Sequence, residues 1–100
     1  MPWPDVDGGV VERIELEQLA EGTFLVRLID GKGESSYRVT VNPEHYNRLT
    51  GGKIPQEELV RRSFQFLLKH EPKESILDEF DLQVIGRYFP EYEREIRRML

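Results

Sequence analysis

The chain has 100 residues, of which 38% are hydrophobic and 33% charged, and its 14 basic and 19 acidic side chains leave a net charge of −5. That length and composition suit one globular domain with a modest core and exclude a disordered chain. The acidic balance argues against a general nucleic-acid binder, and the lack of cysteine excludes disulfides, thiolate metal sites and thiol nucleophiles.

Residues 1–9, "MPWPDVDGG", are rich in Pro, Asp and Gly and predict a flexible tail ahead of a single α+β domain over 10–100. Trp3 stands there between two prolines, either folded back on the domain or free as a short docking peptide. No basic region precedes an apolar run, as a signal peptide requires, and no apolar run is long enough to span a membrane. The expected location is the cytoplasm.

Residues 10–41 predict a three-stranded antiparallel meander. Its strands are "VVERIELEQL", "TFLVRLID" and "SSYRVTV". The connection "AEG" supplies a glycine for a tight hairpin, and "DGKGE" is a stronger turn signal. Alternation puts Ile14, Leu16, Phe24, Val26, Leu28, Tyr37, Val39 and Val41 on the core face. Leu25 and Ile29 fall on the outer face among charged residues. Pairing Leu16 with Val26 sets Glu15 opposite Arg27, and pairing Leu28 with Tyr37 would set Arg27 opposite Arg38. Arg27 and Arg38 are therefore a candidate anion site, although Glu15 offers neutralisation and a solvated charged face is the plainer expectation.

"NPEHYNRLTGG" predicts a short helix, capped by Asn42, with Pro43 at its first position and Gly51 at its end. Tyr46 and Leu49 would pin it to the core. The strongest helix is "PQEELVRRSFQFLLKH", about residues 55–69, with Glu57 and Glu58 in its first turn. Its apolar residues, Phe66 included, cover about half the circumference, more than one sheet face needs. The helix should therefore be covered twice, by the meander and by the C-terminal third. There, Asp81 can cap a two-turn helix, Pro90 forces a bend at Phe89 and starts a last helix, and Tyr92, Ile96 and Met99 form its apolar stripe. The resulting fold is a three-stranded meander packed by one long helix with a short helical C-terminal cap.

No residue pattern carries catalysis. His45 and His70 do not have zinc-protease spacing, and His70 lies two turns from Ser63, about 10 Å along a helix, too far for direct proton transfer. "TGGK", residues 50–53, faintly suggests an anion site before a helix but reads better as a loop. No cofactor or metal is predicted. Residues 1–50 carry nine acids and five bases and residues 51–100 ten acids and nine bases, so neither half is basic and nucleic-acid binding is not expected. The arginines at 61, 62, 94, 97 and 98 are interspersed with glutamates that blunt their field. The remaining expectation is a small non-catalytic protein-interaction module that self-associates, as a homodimer, through Leu25, Ile29, Phe66, Tyr88 and Tyr92. In "FDLQVIGRYFPEYE", Phe80 and Phe89 are the expected core anchors and Tyr88 and Tyr92 the expected partner surface. The alternatives are a nucleic-acid-associated or antitoxin-like regulator, on an analogy of fold alone, and a small enzyme with a site near His45 or His70.

Overall fold

The computed structural model describes residues 11, 13–31 and 33–100. The expected tail, Trp3 and Val10 lie outside them. The fold is α+β. In chain order it comprises β1 (Arg13–Ala20), β2 (Thr23–Asp30), β3 (Gly33–Thr40), α1 (Pro43–Thr50), α2 (Gln56–His70), a 3₁₀ turn (Lys73–Ser75), β4 (Glu79–Asp81), α3 (Gln83–Tyr88) and α4 (Tyr92–Arg98).

The meander forms as predicted, and its expected core face is the observed one. Phe24, Val26, Leu28, Tyr37, Val39 and Val41 are buried, with Ile14 and Leu16 packed against them. The first hairpin also pairs as expected, Leu16 with Val26 and Glu15 with Arg27. It closes on Glu21 and Gly22. Gly22 has φ +74°, and a Cβ there would lie 3.2 Å from the Val41 carbonyl oxygen, so glycine is needed for both reasons. The β2–β3 register differs from expectation by two residues. Asp30 pairs with Gly33 across a two-residue turn and accepts a hydrogen bond from the Gly33 amide at 3.1 Å, which shortens the expected loop. A shift of two keeps every side chain on its face but changes its neighbour. Tyr37 now faces Val26, Arg38 faces Leu25 and Arg27 faces Ser36.

A fourth strand completes the sheet, in the order β1-β2-β3-β4. β4 pairs in parallel with residues 38–40 of β3, so part of that edge is closed. The sequence signal for β4 is only "EFD", too short for any periodicity.

Helix α1 begins as its sequence dictates. The Asn42 side-chain Oδ1 accepts from the amides of Glu44 at 2.9 Å and His45 at 3.1 Å, and Gly51 ends the helix in the left-handed region. Helix α2 buries Leu59, Val60, Ser63, Phe64, Phe66 and Leu67. Phe64 lies against Tyr37 and Phe80, on the sheet side. Phe66 lies against Tyr92 and Phe89, on the side of the C-terminal third. The double covering of α2 is thus observed.

Tyr92 is the centre of the second layer. It is 0% exposed, and its hydroxyl lies 2.7 Å from Ser63 Oγ, which itself donates to the Leu59 carbonyl at 2.8 Å. Burial raises the Tyr92 phenol pKa far above its ordinary value, against the opposing effect of the Ser63 contact. Phe80 is buried as expected, whereas Phe89 is half-buried.

Replacing Tyr92 by Ala should therefore lower the melting temperature by about 10 °C or more, since truncating a buried aromatic costs about 3–5 kcal/mol and each kcal/mol is worth roughly 4–8 °C in a domain this size. Tyr88→Ala, at a side chain 69% exposed, should stay within a few degrees of the parent. Thermal unfolding of the two variants checks this, and a Tyr92→Ala protein that melts with the parent would contradict the two-layer core.

Candidate functional site

Two of the five residues expected at a partner surface are in the core. Phe66 is 1% exposed and Tyr92 is fully buried, because α2 and α4 face each other through them. Leu25 and Ile29 are half-buried on the outer sheet face, flanked across the strands by Glu17 and Arg38 and by Arg13 and Glu34. Tyr88 alone of the five stands well out from the surface.

The two arginines of the expected anion site are not side by side. Arg27 contacts Glu17 at 3.2 Å, Glu34 at 3.5 Å and Glu15 at 4.0 Å, a local neutralisation by three carboxylates. Arg38 lies beside Leu25 on one side and Glu79 on the other. The shorter hairpin is the reason the pair separates. In the "TGGK" stretch, Gly51 caps α1 and the Thr50 hydroxyl bonds the Tyr46 carbonyl and the Gly52 amide, which is loop chemistry.

Two of the concave sites among the described residues hold residues weighed in the sequence, Tyr88 in one and His45 in the other. The larger is an open apolar groove of about 450 Å³ at the C-terminal end of α2. Its floor is made by Leu67, Ile76, Phe80 and Ile85, all buried. Its rim carries Leu77, 50% exposed, and Tyr88. Glu71 and Ser75 are its polar lining. The local sequence explains the shape. Pro72 ends α2 by favouring extended backbone at Glu71 (φ −157°, ψ 156°), and the chain then crosses the sheet edge as β4 before turning back into α3. The Lys73 ammonium, 2.6 Å from the buried Asp30 carboxylate, and the Tyr37 hydroxyl, which donates to the Lys73 carbonyl at 2.9 Å, fasten this segment to the sheet. The hydrogen bond to Asp30 is the main cause of a raised Lys73 pKa.

The smaller site, about 220 Å³, lies between α1, α3 and α4 and is lined by His45, Arg48, Gln83, Arg87 and Glu93 among others. His45 is 2% exposed and lies 6.4 Å from Tyr92, ring centre to ring centre, in near-parallel planes. An Arg48 guanidinium nitrogen lies 3.2 Å from its Nδ1. A guanidinium can only donate, so Nδ1 is the acceptor and the proton of the neutral ring sits on Nε2, a buried atom with no hydrogen-bond partner among the described residues. The other terminal nitrogen of Arg48 donates to both carboxylate oxygens of Glu93, at 3.0 and 3.2 Å. Ser63 and Tyr92, nearby, are hydrogen-bonded to each other and have no accessible surface for a substrate. His70 lies at the other end, its ring against Phe66 at 4.4 Å and Phe89 at 5.3 Å. Among the described residues, no three His, Asp or Glu side chains gather as a metal-binding group, and no helix is long and apolar enough to cross a membrane.

Sequence reasoning missed the Ser63–Tyr92 contact and the burial of His45. The first had a signal: Ser63 falls midway between Leu59 and Leu67, in the middle of the apolar arc of α2, where a hydroxyl needs a partner. No protein-family model, curated protein or solved structure matches the chain.

The His45 environment has a consequence in pH. Burial lowers its pKa below the ordinary value of about 6.5, with Glu93 and Asp81 opposing and Arg48 adding to the effect. The folded protein binds this proton less readily than the unfolded chain, so the stability is complete above about pH 6.5 and declines as the pH falls below it. Between about pH 7.5 and pH 5.5 the melting temperature of the parent should drop by several degrees, while that of His45→Leu should change much less. A parent whose melting temperature is level across this range would contradict the buried neutral ring.

Proposed function

We propose that this domain is a non-catalytic protein-interaction module that associates with a second copy of itself through the groove at the end of α2. The observation that carries this is the groove, an apolar trough of about 450 Å³ whose rim holds two large exposed side chains, Leu77 and Tyr88. Apolar side chains gathered at one concave place, rather than scattered, are what protein-contact surfaces present, and tyrosine is a frequent anchor in them. A surface that offers both a trough and protruding side chains suits a two-fold pairing, in which each copy gives the other what it receives.

Two observations disfavour the alternatives. Arg61 and Arg62, two of the basic residues on the long helix, are half-buried and held within the chain, Arg61 by the Ile14 carbonyl and Arg62 by Glu58 and the Met99 carbonyl. They are not free to follow a phosphate backbone. Of the two histidines of the enzyme alternative, His45 is buried in the core and the exposed His70 lies with its ring against two phenylalanines.

Sedimentation over a micromolar to millimolar series should show a species heavier than the 11.8 kDa chain, and Tyr88→Asp should shift the protein to the monomer without changing its melting temperature by more than a few degrees. A parent that stays monomeric throughout would overturn the proposal. Binding to a short oligonucleotide should be no tighter than about 10⁻⁴ M at physiological salt, the weak end of non-specific affinity. A salt-dependent shift at micromolar protein would favour the nucleic-acid alternative instead.

A further inference from the structure

His45, Arg48 and Glu93 meet where α1 packs on α4. The His45 ring is 2% exposed and stacks on the buried Tyr92. Its Nδ1 has two polar neighbours. One is an Arg48 guanidinium nitrogen at 3.2 Å, and the other is Oε2 of Glu93 at 3.9 Å. The first is within hydrogen-bond distance and the second lies just beyond it. Glu93 is held in turn by the other terminal nitrogen of Arg48, at 3.0 and 3.2 Å. Arg48 therefore stands between a ring nitrogen and a carboxylate and donates to both.

Only the neutral ring permits this. A guanidinium accepts no hydrogen bond, so its contact with Nδ1 needs the Nδ1 lone pair. A proton on Nδ1 removes that lone pair and sets two cationic donors face to face at 3.2 Å. The same proton makes Nδ1 a charged donor 3.9 Å from a carboxylate oxygen. The charges acting on the ring come from three elements. Arg48 on α1 disfavours the proton, whereas Glu93 on α4 and Asp81 at the end of β4 favour it. Tyr92 of α4 stays a neutral phenol, its pKa raised by burial. Arg87 of α3 lines the same small site. Arg48 is the member free to leave, because its side chain is 56% exposed while the ring is held in the core.

We infer that His45, Arg48 and Glu93 form a proton-operated exchange of partners. In the neutral state Arg48 bridges the ring and the carboxylate. When Nδ1 takes a proton from water, the Arg48–Nδ1 bond breaks, Glu93 closes on the ring as its acceptor, and Arg48 swings out into solvent. Helix α1 stays tied to α4 in both states. What changes is the surface: acid frees a guanidinium in the site that Arg87 also lines, and draws inward the carboxylate that had balanced it. The groove uses other residues of α3, so the exchange stands apart from the proposed self-association.

NMR of the imidazole nitrogens of the whole chain tests this. Near pH 7.5 the His45 Nδ1 should carry no proton and Nε2 should carry one. On acidification the Arg48 side-chain signals should move with the same midpoint as the ring. Two variants set the sign. Arg48→Ala removes the competing donor and cation, so the midpoint should shift upward; Glu93→Gln removes the receiving carboxylate, so it should shift downward. Where acid unfolds the protein before the ring titrates, melting temperatures carry the same signs. Because the folded state binds this proton less readily than the unfolded chain, the drop between about pH 7.5 and about pH 5.5 should be smaller than the parent's in Arg48→Ala and larger in Glu93→Gln. A neutral ring with its proton on Nδ1, Arg48 signals that ignore the titration, or a response that either variant leaves unchanged or reverses would overturn the exchange.

Discussion

Helix α2 has too much apolar surface for one neighbour, and this constraint shapes the rest of the molecule. Phe64 on one side and Phe66 on the other point in directions that no single sheet face can cover. The sheet takes the first side. The second must be closed by whatever follows in the chain, which obliges the C-terminal third to return across α2. Tyr92 and Ile96 fill that side, and both are fully buried. The polar centre of this layer is the Ser63–Tyr92 contact. Two hydroxyls buried apart would each cost free energy, whereas buried together they satisfy one another and fix the register of α4 on α2.

The same constraint leaves the groove. Helix α4 covers α2 from its middle toward its N-terminal half, where Arg62 holds the Met99 carbonyl. Toward the C-terminal end of α2 this side meets Phe89 and residues of the 3₁₀ turn, β4 and α3 that line the groove. These elements bury Phe80, Leu82 and Ile85 but leave Leu77 and Tyr88 outside. Acidic residues fall on the connecting segment, and the buried Lys73–Asp30 pair keeps that segment against the sheet. Structure and proposed function are therefore linked by uneven covering: residues 71–100 close one end of α2 and only partly close the other.

Much of this was legible in the sequence. Alternation over three strands assigned the core face, and the 3.6-residue pattern of α2 showed both its length and its double covering. The caps of α1 followed from Asn42, Pro43 and Gly51. What the pattern missed has physical causes. The β2–β3 register depended on whether "DGKGE" closes in two residues or more, and a two-residue slip leaves every face unchanged, so periodicity cannot detect it. Three residues of β4 are too few to have a period, and they become a strand because the β3 edge is there to receive them. Tyr92 and Tyr88 are the same residue type in one aromatic stretch, yet only Tyr92 lies on the Ile96 side of α4 and has Ser63 within reach. Burial there is decided by a contact between elements distant in sequence.

Residue-resolved hydrogen exchange under native conditions tests most directly whether α4 belongs to the same core as the sheet. Amides of Val26 in β2, Leu67 in α2 and Ile96 in α4 should all exchange through global unfolding, at one common free energy within the roughly 5–15 kcal/mol that holds a domain of this kind. Exchange of Ile96 at a free energy well below that of Val26, with α2 still protected, would show that α4 is an attachment and not the second face of the core.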